Sequence, residues 1–309
     1  MRQTVAKRLF ELAQKDSDIV AMTADLSSSV GFDTFKENLP EQYIQCGIAE
    51  QEMLSMAAGL ALSGQKPFAG SFAAFHPGRN WDQLRASVCY NQAPVRLISS
   101  HYGLSVGGDG ATHQCLEYLA LTLPLPHLNV LMPFNNSSAE WCIDKAYAQN
   151  SAPTVLFQPR DSHPEIMEEI NTSALEQDGF SYVSKSEKAK NLIISCGLVS
   201  YSAYQAMDII NQTDSHTDLV LIANLTGFNQ ERLVEIIQPY SNIIIVEEHQ
   251  QHGGLGSLML NFLSEHKLSK NVLQINTGRQ FGKSGLSTSE LWSKFGFGAI
   301  SISDKIKNL

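Results

Sequence analysis

Residues 43–59 read Y-I-Q-C-G-I-A-E-Q-E-M-L-S-M-A-A-G. The apolar run ends at Cys46-Gly47, and the small-residue pattern after Ala49 predicts a helix. Glu50 therefore falls in a first helical turn, at a strand-to-helix crossing, where the helix dipole favours a carboxylate. Acidic residues are common in first helical turns, so Glu50 gains meaning only from the sequence around it.

Outward from this stretch, strand-like runs alternate with helix-length amphipathic segments. The first half predicts strands at Ile19–Ala24, Tyr43–Cys46, Pro67–Phe72, Pro94–Ser99, Asn129–Met132 and Thr154–Gln158. Helical patterns cover Ala49–Ser63, Trp81–Tyr90, Cys115–Leu121 and Ser137–Gln149, and Val5, Leu9 and Leu12 space a first helix. Buried runs alternating with helices predict a mostly parallel sheet with helices on both faces. Residues 161–179 are acidic, carry Pro164 and lack a strand pattern, which reads as a linker. A second series follows, with strands at Leu192–Cys196, Leu219–Ala223, Ile243–Glu247 and Val272–Ile275, and helices near Tyr201–Asn211, Gln230–Gln238 and Gly256–Glu265. The expected fold class is α/β in two domains, 1–160 and 180–309, each a mostly parallel sheet flanked by helices.

The 309 residues suffice for two ordinary cores, and 43% hydrophobic with 17% charged residues is a globular composition. No apolar run approaches the roughly 20 residues of a membrane helix, and the first stretch lacks a signal-peptide core or cleavage site. A formal net charge of −9 argues against broad nucleic-acid binding. Five scattered cysteines, at 46, 89, 115, 142 and 196, fit free thiols in a reducing cytoplasm. None has the spacing of a metal ligand or nucleophile.

Several features point to chemistry. Phe72 and Phe75 sit at a strand end and just beyond it, a place for core aromatics or for a ring platform. His101, Asp109 and His113 are interleaved with glycines in S-H-Y-G-L-S-V-G-G-D-G-A-T-H-Q at 100–114, which implies close backbone approach to a ligand. E-E-H-Q-Q-H-G-G-L-G-S at 247–257 puts glycines at a helix start, an arrangement able to bind an anion. F-G-K-S-G at 281–285 has no evident chemistry.

G-I-A-E-Q, then S-F-A-A-F at 71–75 and G-G-D-G-A-T-H-Q at 107–114, resembles in order and spacing the pyrimidine-binding half of transketolase. The likeness continues to the C-terminus and suggests the separately encoded C-terminal subunit of a split transketolase. It implies a thiamine-diphosphate pyrimidine-binding domain followed by the transketolase C-terminal domain, with transfer of a two-carbon ketol unit from a ketose to an aldose. Glu50 would hydrogen-bond the far nitrogen of the aminopyrimidine and drive its tautomerisation. Phe72 and Phe75 would hold that ring, while Gly78 replaces the usual third aromatic. Asp109 and His113 would contact hydroxyls near the donor carbonyl, and His101 would face the substrate channel. Arg2, Ser29, His101 and Arg160 match the positions that hold the sugar phosphate. Phe157 stands where a further Arg is frequent, and P-F-N-N at 133–136 replaces a P-A-D-like segment. The 247–257 and 281–285 segments are family markers of the C-terminal domain, the former linked mainly to its shape and to dimer contacts.

The same resemblance implies thiamine diphosphate and Mg²⁺, both anchored mainly by a partner, the N-terminal diphosphate-binding subunit. Closed twofold symmetry would then give a heterotetramer. Gly108-Asp109-Gly110 followed by Asn135-Asn136 mimics the family's diphosphate and metal motif. The triplet lies inside a glycine-rich loop rather than directly after a buried strand, so no metal ligand is expected in this chain. Alternatives are a subunit resembling deoxyxylulose-phosphate synthase or the β subunit of a 2-oxo-acid dehydrogenase. From other classes, a non-catalytic binding subunit and a nucleotide-binding α/β protein also remain, although no G-x-G-x-x-G follows the first strand.

Overall fold

The computed structural model describes residues 1–161, 167, 169–184, 189–213, 216–285 and 287–309. The first sheet contains β1 (Ile19–Thr23), β2 (Tyr43–Gln45), β3 (Lys66–Phe72), β4 (Arg96–Ser100), β5 (Asn129–Leu131) and β6 (Thr154–Gln158). Its order is β2-β1-β3-β4-β6-β5, and every pairing is parallel. β1, β4 and β6 are buried at every position, as interior strands of a parallel sheet covered on both faces are, even where β4 carries Arg96, Ser99 and Ser100.

The second sheet joins β7 (Phe180–Val183), β8 (Asn191–Ser195), β9 (Thr217–Ile222), β10 (Asn242–Val246) and β11 (Asn271–Ile275) in the order β11-β10-β8-β9-β7. Only β7 runs antiparallel, against β9. The sequence reading lacks this strand, in which buried Phe180 and Ser181 give way to exposed Tyr182 and half-buried Val183, as suits an edge. Helices flank both sheets, so the expected α/β architecture is the one observed.

Two helical expectations need correction. Cys115–Leu121 is not helical but forms turns. Its polar groups serve the second domain instead: the Leu116 carbonyl accepts Gln250 N–H, and Ala120 N–H donates to His249 Nε2. Trp81–Tyr90 forms a helix over Trp81–Gln83 that widens to a π-helix at Leu84–Tyr90. In the segment read as a linker, residues 162–166 and 168 lie outside the described residues. Beyond them, a short helix covers Leu175–Asp178 and Ile170 is buried.

The first sheet's edge strand is not left open. Leu225 N–H donates to the Val130 carbonyl and Met132 N–H to the Ala223 carbonyl, at 2.9 and 2.8 Å. The chain just after β9 therefore covers β5 and removes a free edge. Tyr102, fully buried, accepts Leu198 N–H at 2.9 Å and ties the glycine-rich loop to the second domain. All five cysteines are free, with Cys46 half-buried and the other four buried. No helix among the described residues is long and apolar enough to cross a membrane.

Candidate active site

After β2, Cys46 N–H donates to the Thr23 carbonyl, Gly47 turns the chain with φ +69°, and the helix Glu50–Leu62 begins. Met53, Leu54, Ala57, Ala58 and Ala61 bury one side of this helix and fix its start. Glu50 is its first residue and only 2% exposed. A carboxylate so placed needs partners as well as a dipole. Arg79 Nη1 donates to Glu50 Oε2 at 2.8 Å, and Asn80 Nδ2 donates to the Glu50 carbonyl at 2.9 Å. The sequence reading missed both partners; the visible signal is the R-N pair in the turn after the two aromatics.

That turn leaves β3 at Phe72. Ala73 N–H continues the sheet to the Ser100 carbonyl, and His76 N–H closes the turn on the Phe72 carbonyl. Phe72 and Phe75 lie nearly parallel, at 6.2 Å and 20°. The Arg79 guanidinium carbon stands 4.3 Å from the Phe75 centroid. Gly78 cannot be larger, because a Cβ there would lie 2.2 Å from the Ala74 carbonyl oxygen.

His101 follows β4 with φ +59° and stacks on Phe72 at 3.9 Å and 26°. Its Nδ1 lies 2.8 Å from Ser100 Oγ. Burial pushes His101 down to about 3, aided by the positive charges of Arg2 and Arg160 and by His113, so the ring is neutral at ordinary pH. His113 meets Phe75 edge-on at 5.4 Å and 77°, and its Nδ1 lies 2.9 Å from Thr112 Oγ1.

Arg160, just past β6, donates from Nη1 to the Val106 carbonyl at 2.6 Å and stands 3.8 Å from Asp109 Oδ2. Arg2, on the first helix Arg2–Ala13, donates to the Ser29 carbonyl at 3.2 Å. The nine residues singled out by sequence are linked by a chain of contacts, from Glu50 through Arg79 to Phe75, on to Phe72, His113 and His101, and from His101 through the nearby charges of Arg2 and Arg160 to Ser29 and Asp109. Several lie at or just beyond carboxyl ends of parallel strands, where ligands of α/β sheets bind.

The asparagines of the apparent metal motif are otherwise engaged. Asn135 Oδ1 caps the helix Asn136–Ala148 by accepting Ser138 N–H at 2.7 Å, and its Nδ2 donates to the Met167 carbonyl at 2.9 Å. Asn136 Oδ1 accepts Thr4 Oγ1 at 2.7 Å. Phe157 is fully buried, edge-on to Tyr118 at 5.0 Å, and belongs to the core. The start of the helix Leu255–Glu265 is occupied by a carboxyl group of the chain itself: Glu247 accepts Leu255 N–H at 2.6 Å and Gly256 N–H at 2.9 Å.

Residues 1–165 match the family described as transketolase, pyrimidine binding domain, and residues 182–302 the transketolase C-terminal domain. These two domains, in this order, define the class as thiamine-diphosphate enzymes. The chain belongs to the transketolase family. It is 31% identical over 307 residues to a Methanocaldococcus jannaschii protein named as a transketolase C-terminal section, covering 99% of this chain and 95% of that one. It is 30% identical over 281 residues to a subunit of the apulose-4-phosphate transketolase of Phocaeicola vulgatus, covering 89% and 86%. A solved split-gene transketolase, in an inactive β4 tetramer, superposes with a TM-score of 0.86 at 29% identity over 99% of this chain and 97% of that chain. Transketolase from Leishmania mexicana shares the fold at a TM-score of 0.83 and 20% identity, with 45% of its chain covered by all of this one.

Proposed function

We propose that this chain is the C-terminal subunit of a two-component transketolase, transferring a two-carbon ketol unit from a ketose, as its phosphate, to an aldose. The carrying observation is the buried Glu50 at its helix start, joined through Arg79 to Phe75, with Phe72 and His113 against that ring, His101 stacked on Phe72, and Arg160 beside Asp109. The residues fit the pyrimidine of thiamine diphosphate: Glu50 and Phe75 already hold a planar N–H donor, the Arg79 guanidinium, and an aminopyrimidine presents the same two faces. When bound, the cofactor supplies the nucleophilic carbon that accepts the ketol unit.

Glu50 shares a proton with the ring nitrogen, and Phe72 and Phe75 hold the ring. Neutral His101 offers a ring nitrogen to a donor hydroxyl. His113 and Asp109 orient hydroxyls beside the reacting carbonyl. Arg160 and Arg2, with Ser29, hold the phosphate, for which a guanidinium fork is suited. Diphosphate and Mg²⁺ are anchored by the partner subunit, in a heterotetramer of two chains of each kind. Two relatives support this division, one named as a transketolase subunit and the other as a C-terminal section. The domain boundaries we favour are 1–160 and 180–309, and the compartment is the cytoplasm, in keeping with five free thiols.

The test mixes this chain with an N-terminal, diphosphate-binding transketolase subunit, thiamine diphosphate and Mg²⁺. Expected is ketose-to-aldose transfer by the mixture and none by either chain alone. A mixture that instead condenses a 2-oxo acid with an aldose phosphate would overturn this reading in favour of deoxyxylulose-phosphate synthase chemistry. Several such synthases match, and the chain spans about half the length of each, for example 48% of the one from Alkaliphilus oremlandii.

A further inference from the structure

The F-G-K-S-G segment at 281–285 lies against the loop that carries Asp109 and His113. Gln114, 4% exposed, spans the seam: its Nε2 donates to the Lys283 carbonyl at 2.9 Å and to the Gly107 carbonyl at 3.4 Å. The Oε1 end is buried and sits over Gly282, where a Cβ would come within 1.8 Å of it. A Cβ on Gly110, which has φ +74°, would come within 2.5 Å of Ser284 Oγ. Two neighbouring anchors act in the same direction. Asp161, next to Arg160, accepts the Thr288 hydroxyl. Glu248 Oε1 accepts Trp292 Nε1 at 2.5 Å and the Leu104 N–H at 3.4 Å.

A glycine-rich loop has many backbone states, so its side chains hold position only if something external selects one. We propose that Gln114 is a positioning residue through which the C-terminal domain fixes the sugar-binding loop, with Gly282 as the matching half of the contact. This rests on the function proposed above for Asp109 and His113. Gln114 itself touches no reacting atom. It selects the loop state by holding the Gly107 and Lys283 carbonyls together.

The experiment uses the assembled enzyme and compares Gln114→Ala, Gly282→Ala and the double variant. Expected are faster hydrogen exchange at the amides of residues 107–113 and a donor KM raised about tenfold, the scale for a loosened contact of this kind. Thiamine diphosphate affinity by calorimetry should stay within about twofold, because the pyrimidine pocket is not part of the contact. Gln114→Ala also removes the two atoms nearest a Cβ at 282, Oε1 and Cδ, and leaves only the Gln114 Cβ at 3.0 Å, so Gly282→Ala should do less harm when combined with Gln114→Ala than alone. If Gln114→Ala does not fold, Gln114→Met, which keeps the length and loses the donor, carries the exchange and KM arms of the test. Wild-type exchange across 107–113 in the single variants, or strict additivity in the double, overturns the proposal. Exchange is read whether or not the enzyme turns over, so an assembly without ketol transfer would sink the function and leave this test standing.

Discussion

Arg79 bridges Glu50 and Phe75: its Nη1 lies 2.8 Å from Glu50 Oε2, and its guanidinium carbon lies 4.3 Å from the Phe75 centroid. One side chain therefore covers both surfaces assigned to the cofactor ring. Its side chain is 46% exposed, so it can swing into water when the ring enters. Competition of this kind lowers apparent affinity by the fraction of open pocket. Arg79→Ala should accordingly tighten the thiamine diphosphate Kd of the assembled enzyme by about threefold to tenfold. Calorimetry checks this, and weaker binding would show that the guanidinium stays in place and supports the carboxylate.

Glu50→Gln keeps side-chain volume and an acceptor for Arg79, so the Tm should move little. The amide cannot share the proton that tautomerisation requires. Thiazolium C2–H exchange, followed by NMR in the assembled enzyme, should slow by about 10²-fold or more. Exchange at the wild-type rate would remove Glu50 from the role.

Arg160→Ala separates phosphate recognition from sugar chemistry. A lost charge-assisted contact should raise KM for a phosphorylated ketose by about tenfold to a hundredfold. Turnover of the unphosphorylated ketose should change far less. An unchanged preference for the phosphorylated donor would take Arg160 out of the site.

Glu248 gives a pH test of the domain seam. Burial raises its carboxyl to about 7, against 4.5 in the unfolded chain, with the Trp292 and Leu104 N–H groups pulling the other way. Between those values the folded state keeps a proton that the unfolded state has lost. This contribution to stability is full below pH 4.5 and is lost as pH rises through 7, on the order of 3 kcal/mol in all. Glu248→Gln lacks it, so the Tm of wild type relative to the variant should fall between about pH 5 and pH 8. His76 and His101, both pushed down by burial, are common to the two proteins and cancel. A constant difference in Tm would mean that Glu248 does not titrate in this range.

The isolated chain should bind thiamine diphosphate and Mg²⁺ only weakly, since a ring platform and one strong hydrogen bond are worth on the order of a few kcal/mol. Asn135→Ala should lower stability by about 1 kcal/mol or more through the lost helix cap. Micromolar binding by the chain alone, abolished by Asp109→Ala and Asn135→Ala, would instead place the metal site here.

Sequence patterns carried the sheets well wherever a strand is buried on both faces, as in I-V-A-M-T at β1. They failed at β7, where one edge pairing leaves a mixed pattern, and at Cys115–Leu121, whose helical spacing gives way to contacts with the second domain. Of the candidate site residues, His101, Asp109 and His113 stand out within one glycine-rich loop, whereas Arg2, Ser29 and Arg160 come only from the family resemblance. Arg79 was not legible, because its partner Glu50 lies 29 residues away and the pairing depends on how a turn folds. Gln114 was visible as part of T-H-Q, yet its link to Lys283 spans 169 residues and belongs to no local pattern.

Gly78 bears on any attempt to re-engineer the pocket. Its Cα faces the Ala74 backbone so closely that even a methyl group would collide with the carbonyl. Gly78→Tyr would therefore open the turn that carries Arg79 and Asn80 before it supplied a third aromatic wall. An engineer seeking that wall has to lengthen the loop, since the constraint resides in the path of the chain and no choice of side chain at this position can lift it.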